Sequence, residues 1–486
     1  MKRIASRYLA AASFSAALIV FAMAASGARR PRHGGTLNID LQGRVTSLDP
    51  ARKQATVADQ IAQNRLLKLI ADRLVTLDQF GRPQPSLAIS WRHNDKFTRW
   101  KFHLRPNVKF WNATPLTPDA AVASLQAVNP SWRVSAANDS VIVESDSPLP
   151  DLLYVLAETR NSIVLRESNG DIVGTGPFRL VSWEARRHAV FAANDDYWDG
   201  RPFADTIDVQ MGRTVRERMI DLDLGKTDIA DVAPDRAHID ASRGVKISAS
   251  DPDELLALVF APSSARAKDI RLRQALSLAI DRSSLVDFVL QKEGEAADAL
   301  LPQWSSGYES LFSTAADTAT ARQLASQVSP ATALKLGYDS ADPMERMIAE
   351  RIVVNAQAAG ISIFARPIIG SSTNRSASGA ANAGEYDARI LRLPMASPAP
   401  GVALQDLLQT LAPLADLDGS LAAPFDAPAN PGELYLRERA VVDTYEIIPL
   451  VHVPEVVGLS ARVRDWMPAR WGAWRLTDVW LDGASP

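Results

Sequence analysis

The sequence predicts an α/β protein of more than one domain, and three observations lead to this prediction. Residues 334–364 read as a strand, a helix and a second strand, which is the pattern of a unit that closes onto a parallel sheet. Residues 178–183 and 188–193 alternate apolar and polar side chains, as the two strands of a hairpin do. The length of 486 residues is enough for two or three domains.

The composition excludes several classes of function. The net charge of −3 and the lack of a basic stripe argue against a nucleic-acid partner. The sequence has no cysteine, which rules out disulfides, thiolate zinc sites, a cysteine nucleophile and an anchoring lipid on cysteine. Its 11 tryptophans indicate aromatic surfaces for burial or for stacking on a ligand.

The first 28 residues read as an export signal. Lys2, Arg3 and Arg7 precede an apolar run, and small residues at 26–28 fit a cleavage site. An alternative site lies at residues 22–24, and an uncleaved membrane anchor is the other interpretation. We expect cleavage near Ala28 and a mature protein outside the cytoplasm.

The remaining elements follow from periodicity and from start and stop signals. Thr117 precedes Pro118 and Asp119, which is the pattern of an N-cap, a first helical residue and an acid near the positive helix end. Asp269 caps a second helix, whose apolar positions recur at Ile270, Ala275, Leu278 and Ala279. Further helices are predicted at 58–69, 216–224 and 433–445, and further strands at 37–41, 100–105, 141–144, 207–211, 255–260, 386–392 and 447–452.

The stretch from residue 174 to 209 is the most specific part of the chain. It begins Gly-Thr-Gly-Pro at Gly174, where we expect a turn that uses the positive φ of glycine. A polar turn, Asn-Asp-Asp-Tyr-Trp-Asp-Gly, runs from Asn194 to Gly200. Together these residues resemble the GTGPY…N-x-x-YW-x-G-x-P signature of extracytoplasmic solute-binding proteins of ABC importers, in the peptide/nickel/oligosaccharide-binding family (family 5).

Other segments extend this resemblance over nearly the whole chain after the export signal. Residues 81–91 are similar to the family pattern G-x-x-x-P-x-L-A-x-x-W, and residues 269–282 to D-x-R-x-R-x-A-x-x-x-A-I-D-R. The family's Asp-Gly turn is replaced by Asn112-Ala113, so a different turn geometry is expected there. The order and spacing of these family motifs along the chain are together far more specific than any one motif.

The resemblance implies a two-lobed periplasmic-binding-protein fold of type II, similar to cluster C, with a trimmed satellite domain. Lobe one is expected at residues 33–254, including a satellite subdomain at about 51–160, and lobe two at residues 255–452. Residues 453–486 then return to lobe one. The strands at 255–260 and 447–452 are the expected crossovers.

The resemblance also implies a ligand site in the cleft between the lobes. The segments that would form its walls offer Arg44, Gln54, Trp304, Arg392 and Met395. Trp304 either stacks on a ligand or packs beside the hinge. Arg392 either pairs with a carboxylate or lies on the surface.

The chain departs from peptide-binding relatives at this site. Those proteins have W-x-x-D-x-x-D-P after the last cleft strand, and an aspartate there holds the amino terminus of the peptide. Residues 391–400 read Leu-Arg-Leu-Pro-Met-Ala-Ser-Pro-Ala-Pro, without acid or tryptophan. A buried guanidinium needs an anionic partner, so Arg392 suggests a ligand carboxylate or carbonyl-rich face, unless an acid arrives from elsewhere in the fold.

No catalytic pattern accompanies the binding motifs. The sequence lacks G-x-S-x-G and H-E-x-x-H, and its six histidines have no metal-ligand spacing, so neither an enzyme nor a cofactor or metal site is expected. We expect a monomeric periplasmic receptor, without a lipid anchor, that delivers a small molecule or oligopeptide to an ABC permease. The alternatives are a sensing or chaperone-like binding protein without a permease, and a secreted enzyme on this scaffold.

Overall fold

The computed structural model describes residues 30–168, 170–238, 245–328, 333–368, 385–415, 417–468 and 474–483. The predicted export signal, and the serine- and glycine-rich loop predicted at residues 371–384, lie outside these ranges.

The strands are β1 (Thr36–Asp40), β2 (Val75–Leu77), β3 (Pro83–Pro85), β4 (Ala88–His93), β5 (Arg99–Leu104), β6 (Arg133–Ala137), β7 (Ser140–Glu144), β8 (Val164–Arg166), β9 (Ile172–Gly174), β10 (Phe178–Glu184), β11 (His188–Ala193), β12 (Thr206–Gln210), β13 (Ile229–Val232), β14 (Lys246–Phe260), β15 (Glu295–Ala296), β16 (Leu334–Asp339), β17 (Ile363–Ile368), β18 (Ala388–Pro394), β19 (Ile447–Leu459), β20 (Val463–Arg464) and β21 (Trp480–Leu481).

The α-helices are α1 (Val57–Ile70), α2 (Pro118–Val128), α3 (Leu152–Ala157), α4 (Val215–Asp223), α5 (Ile270–Ala279), α6 (Arg282–Ser284), α7 (Gln303–Ser306), α8 (Thr318–Ser326), α9 (Pro343–Ala358), α10 (Pro400–Leu411) and α11 (Pro431–Val442). A π-turn follows α6 at Leu285–Val289, and short 3₁₀ turns lie at Thr159–Asn161, Pro234–Arg236 and Gly419–Ala422.

One sheet runs through both lobes, in the order β10-β11-β12-β1-β13-β19-β14-β18-β16-β17, with β15 also paired to β19. Its centre consists of β14 and β19, which are antiparallel and long enough to belong to both halves. In lobe one, β1 lies parallel to β12 and β13. In lobe two, β16 lies parallel to β17 and β18. The predicted strand-helix-strand unit of residues 334–364 is confirmed as β16, α9 and β17.

The ladder between the two long strands is irregular where the lobes meet. Pro252 is opposite Pro454, and the register shifts on both sides of Pro252, between Ala249 and Glu254. Proline has no backbone N–H to donate, so two facing prolines interrupt the hydrogen bonds of a ladder. The connection between the lobes therefore lacks a regular hydrogen-bond ladder at this proline pair.

Lobe two has three layers because β14 is apolar on both faces. Leu256, Leu258 and Phe260 pack under α5 and α9, in one buried cluster. Leu255 and Val259, with the intervening alanine, pack under α10 and α11 in a second cluster on the other face. Successive side chains of a strand point to opposite faces, so a continuous apolar run of this kind requires helices on both sides.

Lobe one and the satellite have separate cores. The lobe one core combines β1, α1 and β10–β13 with the chain's last described segment, which contributes Trp474, Leu476 and Val479. The satellite core lies between the four-stranded sheet β4-β5-β7-β6 and helices α2 and α3, and its buried side chains run from Leu74 to Val173.

The predicted elements are observed, but several details differ. The second capped helix ends at Ala279, because Ile280 is extended and the Asp281 side chain caps α6. Strand β14 begins at Lys246, before the predicted residue 255, since its polar first half still pairs with β19. The Asn112-Ala113 turn keeps a left-handed residue, with Ala113 at φ 67°.

Candidate binding cleft

A cavity of about 1110 Å³ lies between the lobes. Lobe one contributes helix α1, and the satellite contributes the β2–β3 hairpin and the segment around Glu158. Lobe two contributes β18 and α10. Small-molecule sites usually have volumes of roughly 300–1,000 Å³, so this cavity can hold a ligand at or above the upper end of that range.

One stripe of helix α1 forms the floor of the cavity. Val57, Gln60, Asn64 and Lys68 line it. They follow one another at intervals of three and four residues, so they lie on the same helix face. The opposite face carries Ala62 and other apolar side chains into the lobe one core. The amphipathic character of α1 therefore places a polar row, ending in a lysine, inside the cleft.

Three charged side chains connect the satellite to lobe two at the cavity edge. The Arg160 guanidinium lies 2.6 Å from Glu158 and 3.3 Å from Asp406 of α10. Glu158 is buried, and this burial raises its pKa to about 8, against the lowering effect of Arg160. We call this set the edge bridge; it is a direct polar contact between the lobes.

Positively charged groups gather on the lobe one side of the cavity. Lys68 is half-buried, and burial together with the charges of Arg73 and Arg475 lowers the pKa of its ammonium group to about 7. Arg73 is 7% exposed, and its buried Nε has no hydrogen-bond partner among the described residues. Burial lowers the pKa of the Arg73 guanidinium as well.

Two of the predicted site residues line this cavity. Gln54 is buried, and its amide braces the loop before α1: Oε1 accepts from Thr46 N–H and Nε2 donates to the Ser47 carbonyl. Arg392 lines the lobe two wall but is already paired. Its guanidinium binds Glu254 through two nitrogens and lies 2.8 Å from Asp342.

The environment of Arg392 corrects the argument from the sequence. Residues 391–400 contain no acid, but Glu254 arrives from β14 and Asp342 from the N-cap of α9. The two carboxylates supply the negative charge that a buried guanidinium requires. The alternative that an acid arrives from elsewhere in the fold therefore applies, and Arg392 does not require a charge from the ligand. Its assignment as a ligand-binding residue remains a prediction.

The other three predicted residues do not line this cavity. Arg44 is exposed and packs against Gly212, while its backbone N–H donates to Asp59. Met395 is 2% exposed and belongs to the apolar core of lobe two. Trp304 is 42% exposed, and its indole N–H donates to the carbonyl of Pro252 at the proline pair. Their assignment as ligand-binding residues remains a prediction.

The signature stretch holds the satellite against lobe one and does not line the cavity. The Asp72 carboxylate accepts hydrogen bonds from Thr175, Tyr197 and Trp198, each at 2.9 Å. Burial raises the pKa of Asp72, while these three donors oppose the shift. The tyrosine and tryptophan of the predicted polar turn thus fix the chain that follows α1.

The glycines of the signature serve close packing, and the expected positive φ is wrong for both. Gly174 and Gly176 are absent from the left-handed glycines of the described chain. A Cβ on Gly174 would lie 1.8 Å from the carbonyl oxygen of Ile70, and one on Gly176 would lie 2.5 Å from the carbonyl carbon. The end of α1 therefore packs directly on this backbone.

Sequence reasoning missed the residues that most distinguish the cavity. Lys68 and Arg73 belong to no motif of the family, and Arg160 and Asp406 are 246 residues apart. One signal was available, because Gln60, Asn64 and Lys68 form the polar face of a helix whose apolar face was recognised. Apart from this polar row, neither the lining of the cavity nor the edge bridge has a local sequence pattern.

Within the described ranges, no group of three or more histidine, cysteine, aspartate or glutamate side chains is placed to hold a metal ion. No helix in the described part of the chain combines the length and apolar character needed to cross a membrane.

Comparison with known proteins gives three consistent results. The sequence model of the family described as bacterial extracellular solute-binding proteins, family 5 Middle, matches residues 82–410. The Probable D,D-dipeptide-binding periplasmic protein DdpA of Escherichia coli (strain K12) is 26% identical over 250 residues, which are 46% of this chain and 48% of that protein. The nickel-binding protein NikA of Staphylococcus aureus is 26% identical over 285 residues, 55% of each chain. The chain thus spans about half the length of the curated relatives it matches.

Solved structures extend the similarity to nearly the whole chain. The oligopeptide-binding protein AppA of Bacillus subtilis, in complex with a nonapeptide, superposes with a TM-score of 0.77 at 16% identity. The match covers 93% of this chain and 100% of that one. At this identity the likeness concerns the fold alone, and the predicted two-lobed α/β fold is confirmed.

Proposed function

Because the chain belongs to the bacterial extracellular solute-binding proteins of family 5, we propose that it captures a small solute between its lobes and delivers it to an ABC permease. The observation that carries this proposal is the cavity of about 1110 Å³ whose walls come from both lobes. A site shared between two lobes is completed only when they close, so binding and closure are coupled.

The connection between the lobes supports such a movement. Among the described residues, only β14 and β19 continue through the sheet from one lobe to the other, and the facing prolines Pro252 and Pro454 interrupt their ladder. Hinges of this type absorb a change of backbone angle over a few residues. The edge bridge of Arg160 with Asp406 joins the satellite to lobe two and can stabilise the closed arrangement.

We propose a peptide-like solute as the ligand class. The named relatives include a D,D-dipeptide-binding protein and an oligopeptide-binding protein. The cavity volume is compatible with several amino-acid residues. Apolar side chains on its walls, among them Leu77, Phe80 and Leu391, suit uncharged parts of such a ligand, and Phe80 is 67% exposed there.

We propose binding and not catalysis as the activity. The described residues that line the cavity include no serine, cysteine or histidine, so a serine–histidine or cysteine–histidine pair is not available from these side chains. We further propose that the protein is exported to the periplasm with cleavage near Ala28, carries no lipid anchor, acts as a monomer and divides into lobes at about residues 254 and 452.

Closure can be measured directly because the sequence has no cysteine. Lys226→Cys in lobe one and Gln357→Cys in lobe two change exposed residues and provide a labelling pair for fluorescence energy transfer. Addition of a casein hydrolysate is expected to shorten the distance between the labels. A matched pair within lobe one, Lys226→Cys with Lys96→Cys in the satellite, should report no change.

Transport is tested in cells. A strain lacking this protein should lose uptake of the solute that native mass spectrometry finds on the purified receptor, and the wild-type gene should restore it. Capture and closure without any uptake defect would instead favour the sensing or chaperone-like alternative. No capture and no closure with any solute fraction would contradict the receptor function itself.

A further inference from the structure

The acidic and the basic side chains on the cavity walls differ in how far the protein supplies them with partners. Three acids line the cavity, and protein donors bind each of them. Asp78 accepts hydrogen bonds from the Arg82 side chain and from backbone N–H groups of its own hairpin. Glu158 and Asp406 share the Arg160 guanidinium. Each carboxylate of the cavity therefore has a protein partner, although the buried Oε1 atom of Glu158 has none among the described residues.

The cations of the cavity contrast with these acids. Arg160 and Arg392 are ion-paired, but Lys68, Arg73 and Arg389 have no hydrogen bond or ion pair from their side chains within the described ranges. An ordinary surface lysine satisfies its ammonium group with water. Lys68 is half-buried in a cavity wall, and Arg73 is more than nine-tenths buried.

Arg73 is the more informative of the two. A guanidinium does not lose its charge near neutral pH, so its burial without a hydrogen-bonded partner has a free-energy cost. The neighbouring Asp72 attracts the Arg73 charge through space. Within the described ranges it forms no ion pair with Arg73, and its carboxylate accepts hydrogen bonds from Thr175, Tyr197 and Trp198 instead. Arg73 therefore retains unsatisfied donors where it lines the cavity.

Lys68 and Arg73 lie close enough to repel each other. The positive charge of Arg73 is one cause of the lowered pKa of Lys68, and the charge of Arg475 is another. Arg475 lines the same cavity, although it is 61% exposed and paired with Asp478. Two neighbouring cations that form no ion pair within the described ranges are stabilised when an anion binds between them.

We propose that Lys68 and Arg73 form a subsite for an anionic group of the captured solute, a carboxylate or a phosphate. This proposal rests on the proposed receptor function and names the part of the solute that the cavity recognises. It places recognition of negative charge on lobe one, at the end of α1, and away from Arg392. The solute is held as an anion at one end, while Leu77 and Phe80 contact its apolar part.

The test uses four defined pools and native mass spectrometry. The first pool contains synthetic peptides of two to nine residues with free carboxyl termini, and the second contains the same peptides with terminal amides. The third contains phosphate monoesters of glycerol and small sugars, and the fourth contains the unphosphorylated alcohols. Wild-type protein is expected to retain members of the first or third pool, which also separates carboxylate from phosphate as the source of the charge.

Variants then assign the charge recognition to residues. Lys68→Gln and Arg73→Gln are each expected to weaken retention about 10- to 100-fold, the loss of one charge-assisted hydrogen bond. Lys68→Arg keeps the charge and should retain most of the binding. Lys96→Gln and Arg179→Gln remove the same charges at exposed positions outside the cavity and serve as matched controls.

The outcomes separate the two proposals. Equal retention of amidated peptides and free acids, or of alcohols and phosphates, would overturn the anionic subsite while leaving the receptor function intact. Wild-type affinity in both Lys68→Gln and Arg73→Gln would do the same. If wild-type protein retains nothing from any pool, the receptor function itself fails, and the subsite falls with it.

Discussion

Replacing Arg392 with methionine is expected to destabilise lobe two and to leave solute capture nearly unchanged. The guanidinium holds Glu254 with two nitrogens and Asp342 with a third. The exposed side-chain fractions are 22% for Arg392, 8% for Glu254 and 12% for Asp342. Removal of the arginine therefore leaves two largely buried carboxylates without a cation.

The magnitude follows from the geometry. Breaking one fully buried ion pair by removal of one partner costs about 3–5 kcal/mol in the free energy of unfolding. Residual exposure lowers this figure, and Asp342 keeps its cap hydrogen bonds to the N–H groups of Met344 and Glu345. We therefore expect a loss of about 2–4 kcal/mol for Arg392→Met, most of it from Glu254.

The assay is urea unfolding followed by far-ultraviolet circular dichroism, with a double-mutant cycle. Arg392→Met, Glu254→Gln and the double variant should give a coupling of roughly 1.5–3 kcal/mol, the range for hydrogen bonds between charged groups. Hydrogen exchange of the β18 and α9 amides locates the loss, since a two-lobed chain need not unfold in one step. Arg179→Met, at an exposed arginine, is the control.

Two results would refute this reasoning. Coupling close to zero would mean that the ion pairs do not contribute to stability. Loss of solute capture by Arg392→Met at wild-type stability would mean that the guanidinium serves the ligand, as the sequence alone suggested. The second result would also require another source of charge balance for Glu254.

Three further predictions concern the satellite, the buried acids and the edge bridge. Asp72→Asn should lower the free energy of unfolding in urea by about 2–3 kcal/mol, because an amide cannot accept all three hydrogen bonds. The control Asp196→Asn, at an exposed position, should lower it by less than about 0.5 kcal/mol. Burial raises the pKa of Glu438 to about 8. Between about pH 5 and 8 the native state therefore binds a proton that the unfolded chain has lost, and the free energy of unfolding falls as the pH rises. Glu438→Gln should flatten this pH profile, measured by urea titrations. Asp406→Ala removes a partly exposed ion pair of the edge bridge, so the ratio of open to closed protein should rise about 1.5- to 5-fold. Energy transfer between the labelled lobes measures this ratio.

Each of these has a contradicting outcome. Equal effects of the two aspartate substitutions would remove the special role of the Asp72 carboxylate. A pH profile that keeps its slope in Glu438→Gln would place the responsible proton elsewhere, with Glu345 as the next group to change, because burial raises its pKa to about 8 as well. An unchanged distance distribution in Asp406→Ala would show that the edge bridge does not favour closure.

The sequence was sufficient for the elements and for the fold, because both depend on local periodicity and caps. Thr117 caps α2 as expected, and its hydroxyl accepts the N–H of Ala120. The hairpin of β10 and β11 has the expected partners. Departures occur where a second signal competes, as at Asp281, which ends one helix by capping the next.

The cleft was less predictable because its chemistry depends on distant partners. Arg392 meets Glu254 from a position 138 residues earlier, and no local pattern indicates that this pair forms. The role of Asp72 likewise depends on Tyr197 and Trp198, which follow it by 125 and 126 residues. A lysine or arginine in a sequence window does not show whether the fold will supply it with an acid.

The course of β14 and β19 has a consequence for the order in which the chain can fold during synthesis. The lobe two core uses one continuous stretch between these strands, so its residues become available together. The lobe one core joins Leu37 with Trp474 and Leu481, which are more than 400 residues later. Lobe one therefore stays incomplete until the ribosome has made the last described segment. A nascent chain that stops before β19 would expose the apolar strands of lobe one to proteases and to other chains, whereas most of lobe two's layers would already be made.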